Sequence, residues 1–177
     1  LDTGCATFYQ RDAAGVVTGI YDPQRGDYVP LHKDAREIAI ADLRAAGKRL
    51  EGRAGASLID LDDGILLLEF HAKANAIDAD IVAMGWKALE HLERGYDGLV
   101  IGNQGEHFSA GANLFLIAML AQQQEWEQIH ATVRELQNLF QALRAAPGPV
   151  ITAPFGMALG GGAEMLMAGT RTIAQAE

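Results

Sequence analysis

Cysteine occurs once in the 177 residues, at Cys5, and a lone thiol cannot build an internal disulfide framework. The sequence therefore reads as that of a reducing compartment, and Cys5 as incidental rather than nucleophilic. No apolar run approaches the roughly 20 residues that a membrane-spanning helix requires, and the chain does not open on a basic segment followed by an apolar stretch. A cytoplasmic protein without a membrane span is the expectation. Basic residues are outnumbered, with 14 Lys plus Arg against 23 Asp plus Glu and a formal net charge of -9. That balance argues against nucleic acid or an anionic membrane as a partner, so a polyanionic ligand has to be met by local donors. His32, His71, His91, His107 and His130 are scattered without a metal-ligand spacing such as His-Glu-x-x-His, and no metal is expected.

What is present suffices for one core: 49% of the residues are hydrophobic although only 7% are aromatic, which predicts one main domain and an appendage. Short β-prone pieces at Ala6–Tyr9, Val16–Tyr21 and Asp27–Val29 predict a small meander. From Asp34, a candidate N-cap, Ile38, Leu43, Ala46 and Leu50 fall at near-helical spacing and predict a connecting helix. The Gly and Ala cluster Glu51–Ala56 then marks the expected boundary. Beyond it, Ser57–Leu61 and Ile65–Phe70 flank Asp62-Asp63-Gly64, the composition of a tight antiparallel hairpin.

Asp78 is a candidate cap for a helix whose apolar face runs from Ile81 through Val82, Met84, Trp86 and Leu89 to Leu92, before Gly95. Gly98–Gly102 reads as a buried strand. Trp126, Ile129, Val133, Leu136, Phe140 and Leu143 mark an amphipathic helix, which Pro147-Gly-Pro149 ends. Val150–Ala153, the glycine-dense 156–162, an apolar helix start at 163–168 and a strand at 170–174 complete the chain. Strands alternating with helices predict α/β layers.

Gly160, Gly161 and Gly162 follow a strand and open a helix that carries Glu164. Without side chains they can turn N–H groups toward an incoming oxygen, and the positive end of the helix dipole adds to that field. A P-loop needs Lys and Ser or Thr after its last glycine, whereas Ala163-Glu164 follows here, and no Gly-x-Gly-x-x-Gly frame precedes the helix. A carbonyl oxygen is the better guest. Glu164 in the first helical turn is a candidate acid or base, with Met157, Leu159 and Met165 expected to desolvate it. A second loop, Gly102–Leu114, follows a buried strand, where ligands of α/β sheets lie. Its Ser109-Ala-Gly-Ala112 offers another N–H. His107-Phe-Ser-Ala-Gly111 does not meet the Gly-x-Ser-x-Gly elbow, so Ser109 is not read as a nucleophile. Two such donors on one thioester oxygen would stabilise an enolate.

Phe108-Ser-Ala-Gly-Ala-Asn-Leu114 together with Ala153-Pro-Phe-Gly-Met-Ala-Leu-Gly-Gly-Gly-Ala-Glu164 resembles the paired signature of the crotonase superfamily, and Asn75-Ala-Ile77 resembles the element preceding its first long helix. The resemblance spans Ser57 to Glu177 and implies a crotonase-like layered ββα spiral, cut short at its C-terminus. Ser57–Gly64, Glu69-Phe-His71 and Val100–Gly105 are most like bacterial fused 3-hydroxyacyl-CoA dehydrogenase/enoyl-CoA hydratase proteins.

That likeness implies that residues 1–56 are a dehydrogenase tail and connector and 57–177 the front of the hydratase part. Ala112 and Gly161 would then donate the oxyanion-hole N–H groups and Glu164 would be the first catalytic carboxylate. Lys73, Ala74, Asn75, Ala76 and Ala110 would border the CoA. Asn113 stands where many members have Asp, and His71–Asn75 lacks the usual Arg-Pro. The substrate would be an acyl-CoA, with NAD confined to the dehydrogenase part and a homo-oligomer expected of the whole protein. An isomerase, or a non-catalytic acyl-CoA-binding module, uses the same scaffold. A second catalytic carboxylate would fall beyond Glu177, so these 177 residues alone are expected to hydrate poorly.

Overall fold

In a computed structural model that describes residues 7–13, 15–32, 34 and 37–176, the chain divides into two units, Leu1–Lys48 and Arg49–Glu177. Cys5 and Ala6 lie outside the described residues. The first unit carries the expected meander, β1 (Tyr9–Arg11), β2 (Val17–Asp22) and β3 (Asp27–Pro30), antiparallel in the order β1-β2-β3. Its turn at 22–27 is held by Asp22 Oδ1, which accepts the Gln24 N–H at 2.9 Å. Tyr21 is buried and meets Tyr28 edge to face at 5.6 Å.

The helix predicted from Asp34 to Leu50 is much shorter. Helix α1 covers Ile40–Ala45, with Ala39 and not Asp34 at its N-cap. Gly47, at φ 76°, accompanies its end, the left-handed geometry that stops a helix. Leu50 belongs instead to a strand, β4 (Arg49–Gly52). That strand occupies part of the segment expected to be a linker and pairs antiparallel with β5 (Ala56–Asp60).

In the second unit, the Asp62-Asp63-Gly64 turn has three positive φ angles, 68°, 50° and 74°. It joins β5 to β6 (Ile65–Phe70) as an antiparallel pair, from Ala56↔Phe70 to Asp60↔Leu66. A 3-10 turn at Lys73–Asn75 and the two-residue β7 (Ala76–Ile77) lead to helix α2 (Ala79–Glu93). Asp78 caps α2 as predicted, accepting from the Asp80 and Ile81 N–H groups. There follow β8 (Gly98–Gly102), β9 (Gly111–Ala112), helix α3 (Leu114–Gln122) and helix α4 (Trp126–Arg144). Strand β10 (Val150–Thr152), helix α5 (Gly161–Ala168) and β11 (Arg171–Thr172) complete the unit.

The main sheet has the order β11-β10-β8-β6-β5-β4; β6, β8, β10 and β11 are mutually parallel, and β5 and β4 are antiparallel additions. The core draws Leu58, Leu66, Leu68 and Phe70 from the hairpin, Leu99 and Ile101 from β8, and Ile81, Ala88 and Leu92 from α2. Each large apolar side chain fully withdrawn from water here contributes about 1.5–3 kcal/mol. Helix α4 engages this core through Leu139 and Leu143, whereas Trp126 and Val133, assigned from spacing to its buried face, are exposed.

Candidate active site

Because β6, β8 and β10 run parallel, the chain leaves all three at the same end of the sheet, the end where ligands of such sheets lie. The turn at 73–76 follows β6, the loop 103–113 follows β8, and the loop 153–160 follows β10. Backbone hydrogen bonds then zip the last two together. Phe108 N–H donates to Phe155 O at 3.1 Å, Ser109 N–H to Met157 O at 3.1 Å, and Leu159 N–H to Ser109 O at 3.0 Å, around a parallel bridge between Ser109 and Ala158. The turn joins through β7 and β9, paired parallel at Ala76↔Gly111 and Ile77↔Ala112.

Ser109 is the hub of this assembly. Fully buried, it donates from Oγ to Asn75 O at 2.7 Å and accepts the Gly111 N–H at 3.1 Å. Its Cβ lies 2.8 Å from where a Cβ on Gly162 would stand, so only glycine fits there without displacement. Asn75 donates from Nδ2 to His107 O at 2.9 Å, and Ala110 N–H donates to Ala74 O at 3.1 Å. These bonds hold Ala74 and Asn75 at φ 54° and 47°, a left-handed conformation that costs about 1–2 kcal/mol per non-glycine residue.

The expected convergence of Ala112 and Gly161 is present. The Ala112 nitrogen lies 3.3 Å from the position a Cβ on Gly161 would occupy, and the Gly161 nitrogen lies 3.3 Å from that of a Cβ on Gly111. Gly161 is the first residue of α5, where N–H groups have no intrahelical acceptor and the helix dipole favours negative charge. The backbone nitrogens of the two loops thus lie close together at a helix N-terminus, an arrangement suited to an oxygen that gains charge.

Glu164 departs from its expected setting. Its side chain is exposed, and of the three residues expected to desolvate it only Met165 is buried, Met157 and Leu159 being 43% and 51% exposed. The reason is that 157 and 159 lie on the loop ahead of α5 and turn outward. Glu164 instead lines a hollow of about 430 Å³ with Gln137, Phe140, Gln141 and Arg144 of α4 and with Met167 and Ala168.

Among the residues expected to border CoA, Lys73, Ala74 and Ala110 are exposed side by side, Ala76 is half-buried, and Asn75 is buried, its amide turned to His107. Each remaining histidine with a described polar contact meets a group of the protein. His71 Nε2 lies 2.8 Å from Ser57 Oγ, His91 Nε2 2.9 Å from Glu51 Oε1, and His107 Nδ1 accepts the Met157 N–H at 3.3 Å. No group of three potential metal ligands occurs among the described residues. Nothing beyond the immediate neighbourhood in the sequence marks Ser109 as a fastener. Its one local signal is a hydroxyl residue two positions before a glycine whose N–H it can cap.

The enoyl-CoA hydratase/isomerase family profile matches residues 60–177, and the chain belongs to that family. A Bacillus subtilis protein named "Probable 3-hydroxyacyl-CoA dehydrogenase" is 41% identical over 177 residues, which is 100% of this chain and 22% of that protein. A solved enoyl-CoA hydratase from Shewanella pealeana superposes with a TM-score of 0.61 at 30% identity, covering 67% of this chain and 46% of that one. Another, from Polaromonas sp., gives 0.61 at 27% identity, covering 67% and 47%. The fold is therefore the crotonase-like α/β fold that the paired glycine loops imply, and the chain spans about half the length of these solved relatives. No helix among the described residues is long and apolar enough to cross a membrane.

Proposed function

We propose that this chain binds an acyl-CoA thioester and stabilises its enolate. The observation that carries the reading is the convergence of the Ala112 and Gly161 nitrogens at the N-terminus of α5. Donors set in this way gain strength as the thioester oxygen gains charge, which lowers the barrier to proton transfer at the adjacent carbon. Glu164, one helical turn beyond Gly161, is the carboxylate that moves a proton. Lys73, Ala74, Ala76 and Ala110 border the CoA, with Asn75 holding their turn in shape.

In the full-length protein the reaction we assign is hydration of a trans-2-enoyl-CoA in fatty-acid β-oxidation: water oxygen bonds to C3 and a proton to C2, through the enolate. Support for a joined 3-hydroxyacyl-CoA dehydrogenase part comes from the name of the Bacillus subtilis relative and from its extent, of which this chain covers 22%. NAD belongs to that part, and acyl-CoA is substrate rather than resident cofactor. We assign the protein to the cytoplasm as a homo-oligomer.

The test is to titrate the 177-residue chain with butyryl-CoA by calorimetry and to assay the full-length protein with 2-enoyl-CoA and 3-enoyl-CoA. Saturable binding and turnover of the 2-enoyl substrate are expected. Glu164→Gln in the full-length protein should retain binding and lose about a hundredfold or more in turnover. Absence of butyryl-CoA binding overturns the reading, and turnover of only the 3-enoyl substrate replaces hydration with isomerisation.

A further inference from the structure

His107 sits on the seam between the two glycine loops. Its Nδ1 accepts the Met157 N–H at 3.3 Å, its carbonyl accepts from Asn75 Nδ2 at 2.9 Å, and the N–H of the next residue, Phe108, donates to Phe155 O. Gly156, at φ +53°, packs so closely that a Cβ there would stand 2.7 Å from His107 Nδ1. The ring is therefore seated both by a hydrogen bond and by contact with the bend from which the chain runs on to Gly161.

An imidazole nitrogen that accepts a hydrogen bond carries no proton, so the bond to Met157 selects the neutral tautomer protonated at Nε2. A ring protonated at both nitrogens would set one N–H against another and forfeit the bond. The charged group facing the ring is Glu106 on its own loop, whose Oε1 lies 3.9 Å from Nε2 and whose side chain is 91% exposed. Residues 153–160, Ala-Pro-Phe-Gly-Met-Ala-Leu-Gly, bring no titratable side chain, and the 73–76 turn brings only the exposed Lys73. Neither Glu106 nor Lys73 supplies the acceptor that protonation removes.

We propose that His107 is a positioning residue for the oxyanion site: neutral, it holds the Met157 N–H and with it the register of the 156–161 loop against the 108–112 loop, and protonation releases that hold. This rests on the thioester-binding reading above. Its consequence is an acid limb in thioester polarisation that belongs to the scaffold and not to Glu164.

The experiment uses the 177-residue chain with butyryl-CoA labelled with carbon-13 at the thioester carbonyl. The infrared C=O stretch of the bound ligand reads polarisation, and amide hydrogen exchange of Met157, corrected for intrinsic rate, reads the tie without ligand. His107→Asn puts a non-titrating side-chain oxygen near the place of Nδ1, and His107→Ala removes the acceptor. In the wild type, the carbonyl shift and Met157 protection should fall together over a titration from neutral pH into acid. His107→Asn should keep both across that range. His107→Ala should lose about tenfold in Met157 protection at neutral pH, the scale of one hydrogen bond, together with part of the carbonyl shift. An Asn variant that titrates like the wild type, or an Ala variant with wild-type protection, overturns the proposal. If the wild type binds no butyryl-CoA, the thioester reading fails, and Met157 protection alone still decides whether the latch exists.

Discussion

Three glycines at the site separate two physical costs that alanine substitution usually mixes. Gly160 has φ 47° and ψ -119°, outside the left-handed helical well, and nothing within 4 Å of a prospective Cβ, so Gly160→Ala carries backbone strain alone, about 1–3 kcal/mol. Gly162 lies inside α5, where alanine is the better helix former by about 1 kcal/mol. Its Cβ, however, would meet Ser109 Cβ at 2.8 Å and Oγ at 2.9 Å, and overpacking of that kind costs about 1–3 kcal/mol. The net for Gly162→Ala is about 1 kcal/mol unfavourable.

Gly111 bears both costs, with φ +94° and a Cβ only 2.6 Å from Leu159 O, a backbone atom that cannot swing aside. Gly111→Ala is expected to lose on the order of 4 kcal/mol, a large part of the 5–15 kcal/mol that holds an ordinary domain. Urea denaturation followed by tryptophan fluorescence reports on the correct unit, because both tryptophans, Trp86 and Trp126, lie within Arg49–Glu177. With a slope of about 2 kcal/mol per molar urea, the Gly111→Ala midpoint should fall by about 2 M and those of the other two variants by less than about 1.5 M. Equal midpoints for Gly111→Ala and Gly160→Ala would refute the claim that the two loops touch at Gly111.

Ser109→Ala leaves Asn75 O and the Gly111 N–H without their shared partner and should cost about 1–3 kcal/mol in the same denaturation experiment. Asp78→Ala removes the side-chain acceptor of two N–H groups at the start of α2 and should cost about 1 kcal/mol, read as a lower urea midpoint. The Glu90 carboxyl is held below its ordinary range, first by the hydrogen bond from Lys87, against some desolvation, and then by the charges of Lys87, Arg94 and His91. A depressed carboxyl contributes stability above its unfolded titration range and loses it as pH falls through the folded value. Lys87→Met should therefore move the Glu90 titration upward, measured by NMR of its side-chain carboxyl, and salt should shrink the difference.

Much of the fold was legible because local chemistry dictated it. The Asp62-Asp63-Gly64 turn, the Asp78 cap and the alternation of strand and helix each follow from short-range backbone preferences, and the pairing of β5 with β6 and the extent of α2 agree with them. Leu50 reads as helical because its spacing from Ile38, Leu43 and Ala46 fits a helix, while nothing local indicates that Arg49–Gly52 has a strand to pair with. Helix α3 leaves no signature because Leu114–Gln122 is apolar on every side and so carries no period, and Leu114 and Phe115 are in fact 74% and 79% exposed. At the site, the glycines announced backbone donors. The bonds from Ser109 to Asn75, 34 residues away, and from Met157 to His107, 50 residues away, could not be read, because sequence does not say which distant carbonyl or ring will be near.

Those same separations bear on the order of assembly. The hairpin of β5 and β6 and the helix α2 close over short stretches of chain, so they can form early. The site requires three segments that meet only after β6, β8 and β10 have taken their parallel places, each separated from the next by an intervening helix or more. Entropy must be spent on closing those long loops before any contact at the seam returns it, which makes parallel pairing slow. Ser109 and His107 therefore make their bonds near the end of folding, and a partly folded chain has its hairpin long before it has a pocket. Substitutions at Ser109 should accelerate unfolding more than they retard folding. A nascent chain thus brings its two glycine loops together only on the last steps to the native state.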